Sequence, residues 1–424
     1  MPHNQHEGRE KRYQSEVKHH LKRNAAVQIL NGMFGQTGVR LVQAPTFVPA
    51  YLYELSGSDF VVGLARSLEA TGKILSPLIG ASLIGHRPRI LGTTLILGVL
   101  MRLQILGMAM AGFLLSSVHA LYAIIVMLAL MGFFQGMAQV TLNSLRAKVI
   151  PVKRRGVIAG ARSLLAGLTS ALVSYFTGAY LIEIEFLGNG YASMFLLAFI
   201  IGIIGMGILA FTYEPHAIRV RDRASTQDVL RSIPDLLRDD PAFARFFCAR
   251  ALAAFGRMAM PFYILFAATR MEISGSTLGL LTLIWMITPS IVNMFWGILA
   301  DRKGHRIVMV STLSLWILSH LQLLFVTDLQ GMMLFFGIMG LSRGGFVQSG
   351  QNLILEFGST ENVPLRLAAS GTAVSLIGAI GPVLGGAILA FSDYYSLFLV
   401  CILLQGLALA ILVFTVPEPR NLRH

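Results

Sequence analysis

The sequence predicts an all-α integral membrane protein with twelve transmembrane helices in two pseudo-symmetric six-helix bundles. Of its 424 residues, 55% are hydrophobic and only 13% are charged, whereas an average soluble domain carries roughly 25% charged residues. This composition excludes a soluble enzyme, a disordered chain and a disulfide-stapled secreted domain. Long apolar stretches and a repeat between the two halves of the chain support the same fold class.

The long apolar stretches are the predicted membrane spans, because a spanning helix needs about 20 mostly apolar residues. We number as spans 1 to 12 the stretches near 25–51, 59–84, 90–115, 119–145, 157–181, 191–213, 243–269, 276–299, 307–326, 331–355, 367–391 and 394–416. The long connection 214–242 is polar. We interpret it as a linker with an amphipathic helix on the membrane surface, whose apolar face is Val229, Leu230, Ile233, Leu236 and Leu237.

The spans define the predicted domains. These are an N-terminal tail 1–24, a first six-helix bundle 25–213, the linker 214–242, a second six-helix bundle 243–416 and a C-terminal tail 417–424. With the N-terminus inside, the tails and inner loops hold 24 basic residues and the outer loops hold one, Arg270. The positive-inside rule therefore predicts that both termini are cytoplasmic, in the inner (plasma) membrane. Most of the net charge of +13 follows from this topology and does not indicate nucleic acid.

Short motifs recur at matching places in the two halves. Glu-Leu-Ser-Gly-Ser at 54–58 follows span 1, and Glu-Ile-Ser-Gly-Ser at 272–276 follows span 7. Arg40 lies shortly before Pro45 in span 1, and Arg257 lies shortly before Pro261 in span 7. Two echoing halves predict a transporter whose site lies at their interface near the membrane midplane.

The loop between spans 8 and 9 reads Gly-Ile-Leu-Ala-Asp-Arg-Lys-Gly-His-Arg over 297–306. It resembles the G-x-L-x-D-R-x-G-[RK]-[RK] loop of the major facilitator superfamily, and Gly-Pro-Val-Leu-Gly-Gly at 381–386 is similar to the family's span 11. The matching loop of the first half has Ile84 where the acid belongs. The alternative is a charged loop that only obeys the positive-inside rule. The resemblance implies a conformational latch formed by Gly297, Asp301, Arg302, Gly304 and Arg306.

Polar residues follow helical spacing in spans 1, 4, 7 and 10. The resemblance implies that these four spans line a central cavity. Nine basic residues lie in or at the edge of spans, against one clearly deep acid, Glu69, so we expect the cavity to attract anions. We assign Arg102, Arg162 and Arg245 to structural roles at backbone carbonyls or headgroups. The predicted substrate-binding residues are Gln36, Arg40, Gln43, Gln139, Asn143, Arg257, Arg343 and Gln351.

Arg40 and Arg257 are expected to converge, because two guanidinium forks suit a phosphate or carboxylate. The arrangement is similar to the paired arginines of organophosphate antiporters in the superfamily. The alternative is that each arginine caps backbone groups freed by its own proline. Glu69 lies on one helix face with Arg66 and Lys73, which permits either a self-neutralising ion cluster or a proton carrier. Its predicted role is proton coupling.

The predicted function is secondary active transport of a small anionic organic solute by alternating access, with a proton or a counter-solute as a candidate coupling partner. The alternatives are a proton-coupled drug efflux transporter and a non-transporting membrane sensor of the same fold. The sequence shows no nucleotide-binding loop and no metal-ligand spacing, so we expect no enzyme activity, metal or other cofactor. The expected partners are a small-molecule substrate and the lipid bilayer, without nucleic acid, and the chain is expected to be a monomer.

Overall fold

The computed structural model describes residues 13–85, 87–215, 233–357 and 362–418. Within these ranges the regular structure is helical and no strand occurs. Each predicted span contains helix, so the all-α membrane fold is confirmed. Of the predicted linker helix, Ile233–Asp239 is helical with Leu236 buried, whereas Val229 and Leu230 lie outside the described residues.

The helices of the first half follow the predicted spans in order. Span 1 consists of Leu21–Gln43 and Phe47–Ser56, and span 5 of Val152–Phe176 with a π-helical end, Thr177–Ile182. Spans 2, 3, 4 and 6 are Asp59–Gly85, Leu91–Leu114, Ser117–Val149 and Gly190–Ala210.

The helices of the second half follow the same order. Span 7 consists of Pro241–Ala254, a 3-10 segment Phe255–Phe262 and Tyr263–Ala268. Spans 8 to 12 are Gly275–Lys303, His305–Leu323, Leu329–Glu356, Val363–Phe391 and Tyr394–Phe414.

Spans 1 and 7 are both interrupted close to a proline. In span 1, Ala44 has an extended backbone (φ −57°, ψ 145°), because the residue before a proline is sterically kept out of the helical region. In span 7 the 3-10 segment contains both Arg257 and Pro261, and a proline lacks the N–H needed to continue an α-helix. Interrupted helices at membrane depth are typical of transporter sites, where the freed backbone groups face a cavity.

In the described part of the chain, nine helices are long and apolar enough to cross a membrane. The protein is therefore a multi-pass membrane protein. The predicted spans outside that set are spans 1, 2 and 10, which carry polar side chains such as Arg40, Glu69 and Arg343. Polar groups at this depth are tolerated where they face a cavity or a partner, so we expect these three spans to face inward.

Contacts among the described residues divide the chain into two compact units. The first unit is formed by Met1–Ala44, Leu68–Val173 and Leu181–Arg223, and the second by Pro45–Ser67, Ser174–Tyr180 and Ala224–His424. Contacts group residues by proximity, whereas the predicted domains group them by the repeat in the sequence. The predicted domain boundaries therefore stay predictions.

Within the second unit, the start of span 2 packs against spans 11 and 12. The Tyr394 hydroxyl donates to Asp59 Oδ1 at 2.7 Å, and the Val383 N–H donates to Ser67 Oγ at 2.9 Å. Gly63 permits the close approach, because a Cβ there would lie 2.3 Å from a backbone carbonyl oxygen of span 11. These contacts lie in the halves of the spans that are predicted to be nearer the outside of the cell.

Candidate functional site

A cavity of about 220 Å³ lies in the first unit, lined by spans 1, 3, 4 and 6. Three arginines line it, and its lining residues include no Asp or Glu. With three cations and no anion in its wall, the cavity favours a negatively charged ligand. The predicted binding residues that line it are Gln36, Arg40, Gln43 and Gln139, and the other two arginines are Arg102 and Arg146.

Arg40 is the arginine of this cavity whose donors remain available. It lies one turn from the end of the helix Leu21–Gln43 and is half-buried. Among the described residues its guanidinium makes no hydrogen bond or ion pair, and in particular none to the carbonyls around Pro45. This geometry favours a ligand-binding role over capping of the interrupted helix, because Arg40 lines the cavity and its five N–H donors have no acceptor among the described residues.

Arg146, from span 4, is held at the cavity wall by neighbouring amides. Its Nε donates to Gln28 Oε1 at 3.1 Å, and its Nη1 donates to Asn143 Oδ1 at 3.2 Å, while Nη2 is buried without a partner among the described residues. Gln139 also donates to Asn143 Oδ1, at 3.2 Å. Asn143 does not line the cavity itself but orients Arg146, whose Nη2 keeps both of its N–H groups unused among the described residues.

Arg102, from span 3, directs both Nη atoms to backbone carbonyls, while its Nε is buried without a partner among the described residues. Its Nη1 donates to the Gly98 carbonyl at 2.8 Å and its Nη2 to the Gly35 carbonyl at 3.0 Å. The side chain is only 5% exposed. These bonds fit the structural role predicted for Arg102, although its positive charge still contributes to the cavity.

Glu69 is connected to the cavity through Gln43. Gln43 Nε2 donates to Gln135 Oε1 at 2.6 Å and also to Glu69 Oε1 at 3.3 Å. The same carboxylate oxygen of Glu69 pairs with Lys73 Nζ at 2.6 Å, and Glu69 is 3% exposed. Both interpretations of Glu69 include an ion pair with Lys73, so the proton-coupling role of Glu69 stays a prediction.

The other predicted binding residues, Arg257, Arg343 and Gln351, belong to the second unit. Arg257 is exposed, with no hydrogen-bond or ion-pair partner among the described residues. The Arg343 guanidinium lies over the Trp285 ring at 5.1 Å from its centroid. Gln351 lines a separate cavity of about 260 Å³. The predicted convergence of Arg257 with Arg40 stays a prediction.

The cavity that contains Gln351 includes an arginine absent from the predicted binding residues. Arg250, from span 7, is 8% exposed, and its Nη1 donates to Ser370 Oγ at 2.7 Å. Its Nε is buried without a partner among the described residues. Helical spacing placed Arg250 and Arg257 on one polar stripe of span 7. The structure then shows that Arg250 is buried and Arg257 is exposed.

The predicted latch loop begins in span 8 and turns at Gly304. Gly304 has φ 93° and ψ 158°, a region open essentially to glycine alone. Arg306 Nη2 donates to the Val413 carbonyl at 2.7 Å, while Asp301 and Arg302 are exposed. Gly297 lies inside span 8, where a Cβ would meet only a glutamine side chain at 3.7 Å. The latching role of these residues stays a prediction.

The predicted site residues did not include Glu214, a carboxylate that binds the matching loop of the first half, between spans 2 and 3. Glu214, just after span 6, accepts the backbone N–H groups of Ile90 and Leu91, each at 2.8 Å, at the start of span 3. It also pairs with Lys148 Nζ at 2.6 Å. In the second half, the Glu418 carboxylate lies beside Gly304, just before span 9. The Glu-Pro pairs at 214–215 and 418–419 were the available signal.

An all-helical multi-pass fold with an interrupted span beside a polar cavity is typical of membrane transporters. The sequence profile of the Major Facilitator Superfamily matches residues 29–266 and 246–424. The chain belongs to the Major Facilitator Superfamily, as its loop at 297–306 predicted.

Solved structures share this fold. A mutant of the nucleoside transporter NupG has a TM-score of 0.71 at 13% identity, covering 91% of this chain and 98% of that one. The D-xylose-proton symporter has a TM-score of 0.70 at 16% identity, covering 95% and 99%. A bacterial homologue of the human lysosomal transporter Spinster has a TM-score of 0.64 at 15% identity, covering 95% of each chain.

Citrate exporter 1 of Aspergillus niger is 24% identical over 148 residues. The matched region covers 35% of this chain and 28% of the length of that relative.

Proposed function

We propose that this protein is a secondary active transporter that moves a small organic anion by alternating access. The observation that carries the proposal is the cavity of the first unit, whose wall contains Arg40, Arg102 and Arg146 and no Asp or Glu among its lining residues. Uncompensated cations in a low-dielectric wall attract anions and reject cations. The match to a citrate exporter over 148 residues supports the same substrate class, since citrate is a tricarboxylate.

The residues of the cavity have different roles in this proposal. Arg40 offers a fork of donors to a carboxylate or phosphate, and Arg146 adds the N–H groups that Asn143 and Gln28 leave unused. Gln36 and Gln139 supply neutral polar groups at the wall. We assign Arg257, Arg343 and Gln351 to the part of the substrate path contributed by the second unit, with Arg257 as the counterpart of Arg40.

We also propose that the protein lies in the inner membrane with both termini in the cytoplasm, since the basic residues of its tails and loops support that orientation. Coupling to a proton through Glu69, and the latch at Gly297, Asp301, Arg302, Gly304 and Arg306, belong to the same proposal. In alternating access, the latch would hold one conformation while the cavity is open to one side.

The test is anion binding by the lysine variants of Arg40 and Arg257. Lysine keeps the charge but loses the planar fork. Since a hydrogen bond to a charged group contributes about 1.5–3 kcal/mol, Arg40→Lys and Arg257→Lys are each expected to weaken citrate binding roughly 10- to 100-fold. Isothermal titration of the purified full chain with citrate measures the dissociation constant.

Arg245→Lys is the matched control, because Arg245 is exposed and its Nε donates to the Pro241 carbonyl in its own helix. Its affinity for citrate is expected to equal that of the wild type. If the wild type binds citrate and both Arg40→Lys and Arg257→Lys keep that affinity, the arginine pair does not bind the substrate.

A further inference from the structure

Another hollow, of about 610 Å³, lies in the first unit, away from the substrate cavity. It is formed where the helical residues 13–19 meet the connection between spans 4 and 5. No Asp or Glu is among its lining residues. Five cationic side chains line it, namely Lys18, Lys148, Lys153, Arg154 and Arg155.

The walls of this hollow are held by specific bonds. The Tyr13 hydroxyl donates to the Lys148 carbonyl at 2.8 Å, which ties residues 13–19 to the end of span 4. Val17 is 5% exposed and packs on the same side. Arg155 Nε donates to the Ile150 carbonyl at 3.0 Å, and Lys148 pairs with Glu214. Lys148 and Arg155 therefore build the site and need no external partner.

The remaining cations face the hollow without compensation. Lys18, Lys153 and Arg154 are exposed, and within the ranges that the structure describes they make no hydrogen bond or ion pair. Like charges gathered in one concave place repel one another unless an anion occupies it. We propose that this hollow binds the phosphate headgroup of an anionic phospholipid.

A lipid fits better than a soluble anion because apolar side chains adjoin the cations. Val152 and Val157, on the first turns of span 5, are 74% and 69% exposed. The connection between spans 4 and 5 lies on the predicted cytoplasmic membrane surface. Basic pockets beside transmembrane helices on that side bind anionic headgroups, and exposed valines can contact the acyl chains that a soluble phosphate lacks.

Native mass spectrometry of the full chain in detergent tests this proposal, with phosphatidylglycerol and phosphatidylcholine of identical acyl chains as probes. The wild type is expected to retain phosphatidylglycerol in preference. The double variant Lys153→Gln/Arg154→Gln is expected to lose that retention roughly 10- to 30-fold, because each basic residue near an anionic lipid contributes to binding. The matched control, Arg238→Gln/Lys303→Gln, removes one Arg and one Lys at exposed positions elsewhere and is expected to behave as the wild type.

Two further measurements separate the sources of the anion. Val152→Ser/Val157→Ser is expected to weaken phosphatidylglycerol retention, and soluble glycerol phosphate is expected not to displace the lipid. Equal losses of phosphatidylglycerol retention in Lys153→Gln/Arg154→Gln and in Arg238→Gln/Lys303→Gln would overturn the proposal, since they indicate a general effect of charge. Unchanged retention in Lys153→Gln/Arg154→Gln, or displacement by glycerol phosphate, would overturn it as well. None of these results depends on the identity of the transported substrate.

Discussion

At the scale of single residues, the acceptors that each guanidinium meets decide what its arginine does. Arg102 donates one hydrogen bond to the Gly98 carbonyl and one to the Gly35 carbonyl, so it joins span 3 to span 1. Arg40 meets no acceptor among the described residues and lines the same cavity. A positive charge at membrane depth is costly without a partner. An anionic substrate would supply that partner for Arg40.

Glu69 is the residue on which proton coupling depends. We expect Glu69→Gln to flatten the pH profile of transport of the proposed anion, because the amide keeps the oxygen that accepts from Gln43 and Lys73 but cannot exchange a proton. The measurement is the initial rate of uptake into proteoliposomes over a series of pH values, compared with the wild type, with citrate as the probe anion.

Lys73→Gln is the control for the ion pair, because it removes the partner of Glu69 and leaves the carboxylate in place. If Glu69 carries the proton, Lys73→Gln keeps a pH dependence. An unchanged pH profile in Glu69→Gln would instead show that Glu69 is only a member of a structural ion cluster.

At the scale of elements, the two halves both place a carboxylate beside the start of the third helix of the half. Glu214 accepts two backbone N–H groups at the start of span 3, where the first N–H groups of a helix lack intrahelical partners. The helix dipole adds to this attraction. The first half therefore has a carboxylate at this loop although Ile84 stands where the family motif has an acid.

We expect Glu214→Ala to lower the thermal stability of the protein more than Glu214→Gln. The alanine leaves two backbone N–H groups without an acceptor. It also removes the counter-ion of Lys148, whose side chain is 11% exposed and keeps only the Pro88 carbonyl as an acceptor. Removing one partner of a buried ion pair costs about 3–5 kcal/mol, whereas glutamine retains an oxygen. The melting temperature of the full chain in detergent measures both effects.

Glu272→Ala is the control, because Glu272 is exposed and has no hydrogen-bond or ion-pair partner among the described residues. Its melting temperature is expected to match that of the wild type. A melting temperature of Glu214→Ala equal to that of Glu272→Ala would contradict the capping role of Glu214.

A feature of this protein could be predicted from the sequence when it depends on residues that are close together along the chain. The spans and the loop at 297–306 depend on local composition and spacing, so they were predictable. The bond from Gln43 to Gln135 and the cap by Glu214 join residues far apart in the chain, and helical periodicity carries no information on such partners. Periodicity likewise placed Asn143 on the polar stripe of span 4 but could not show that it orients Arg146.

At the scale of the whole molecule, the fold is that of a transporter of the superfamily. In the second unit, the start of span 2 is bonded to spans 11 and 12 through Asp59 with Tyr394 and Ser67 with Val383. These contacts lie in the predicted outer halves of the spans. Alternating access requires contacts at one end to open when those at the other end form, and these polar bonds are weak enough individually to exchange with water.

The measurement that tests the central claim most directly is transport by the purified protein in proteoliposomes, with citrate, a phosphate ester and a cationic dye presented separately. A cavity lined by three arginines and no Asp or Glu among its lining residues predicts that at least one of the anions moves across the membrane and that the dye does not. Movement of the dye without either anion would contradict the account and favour drug efflux, and no movement of any of them would favour a non-transporting sensor.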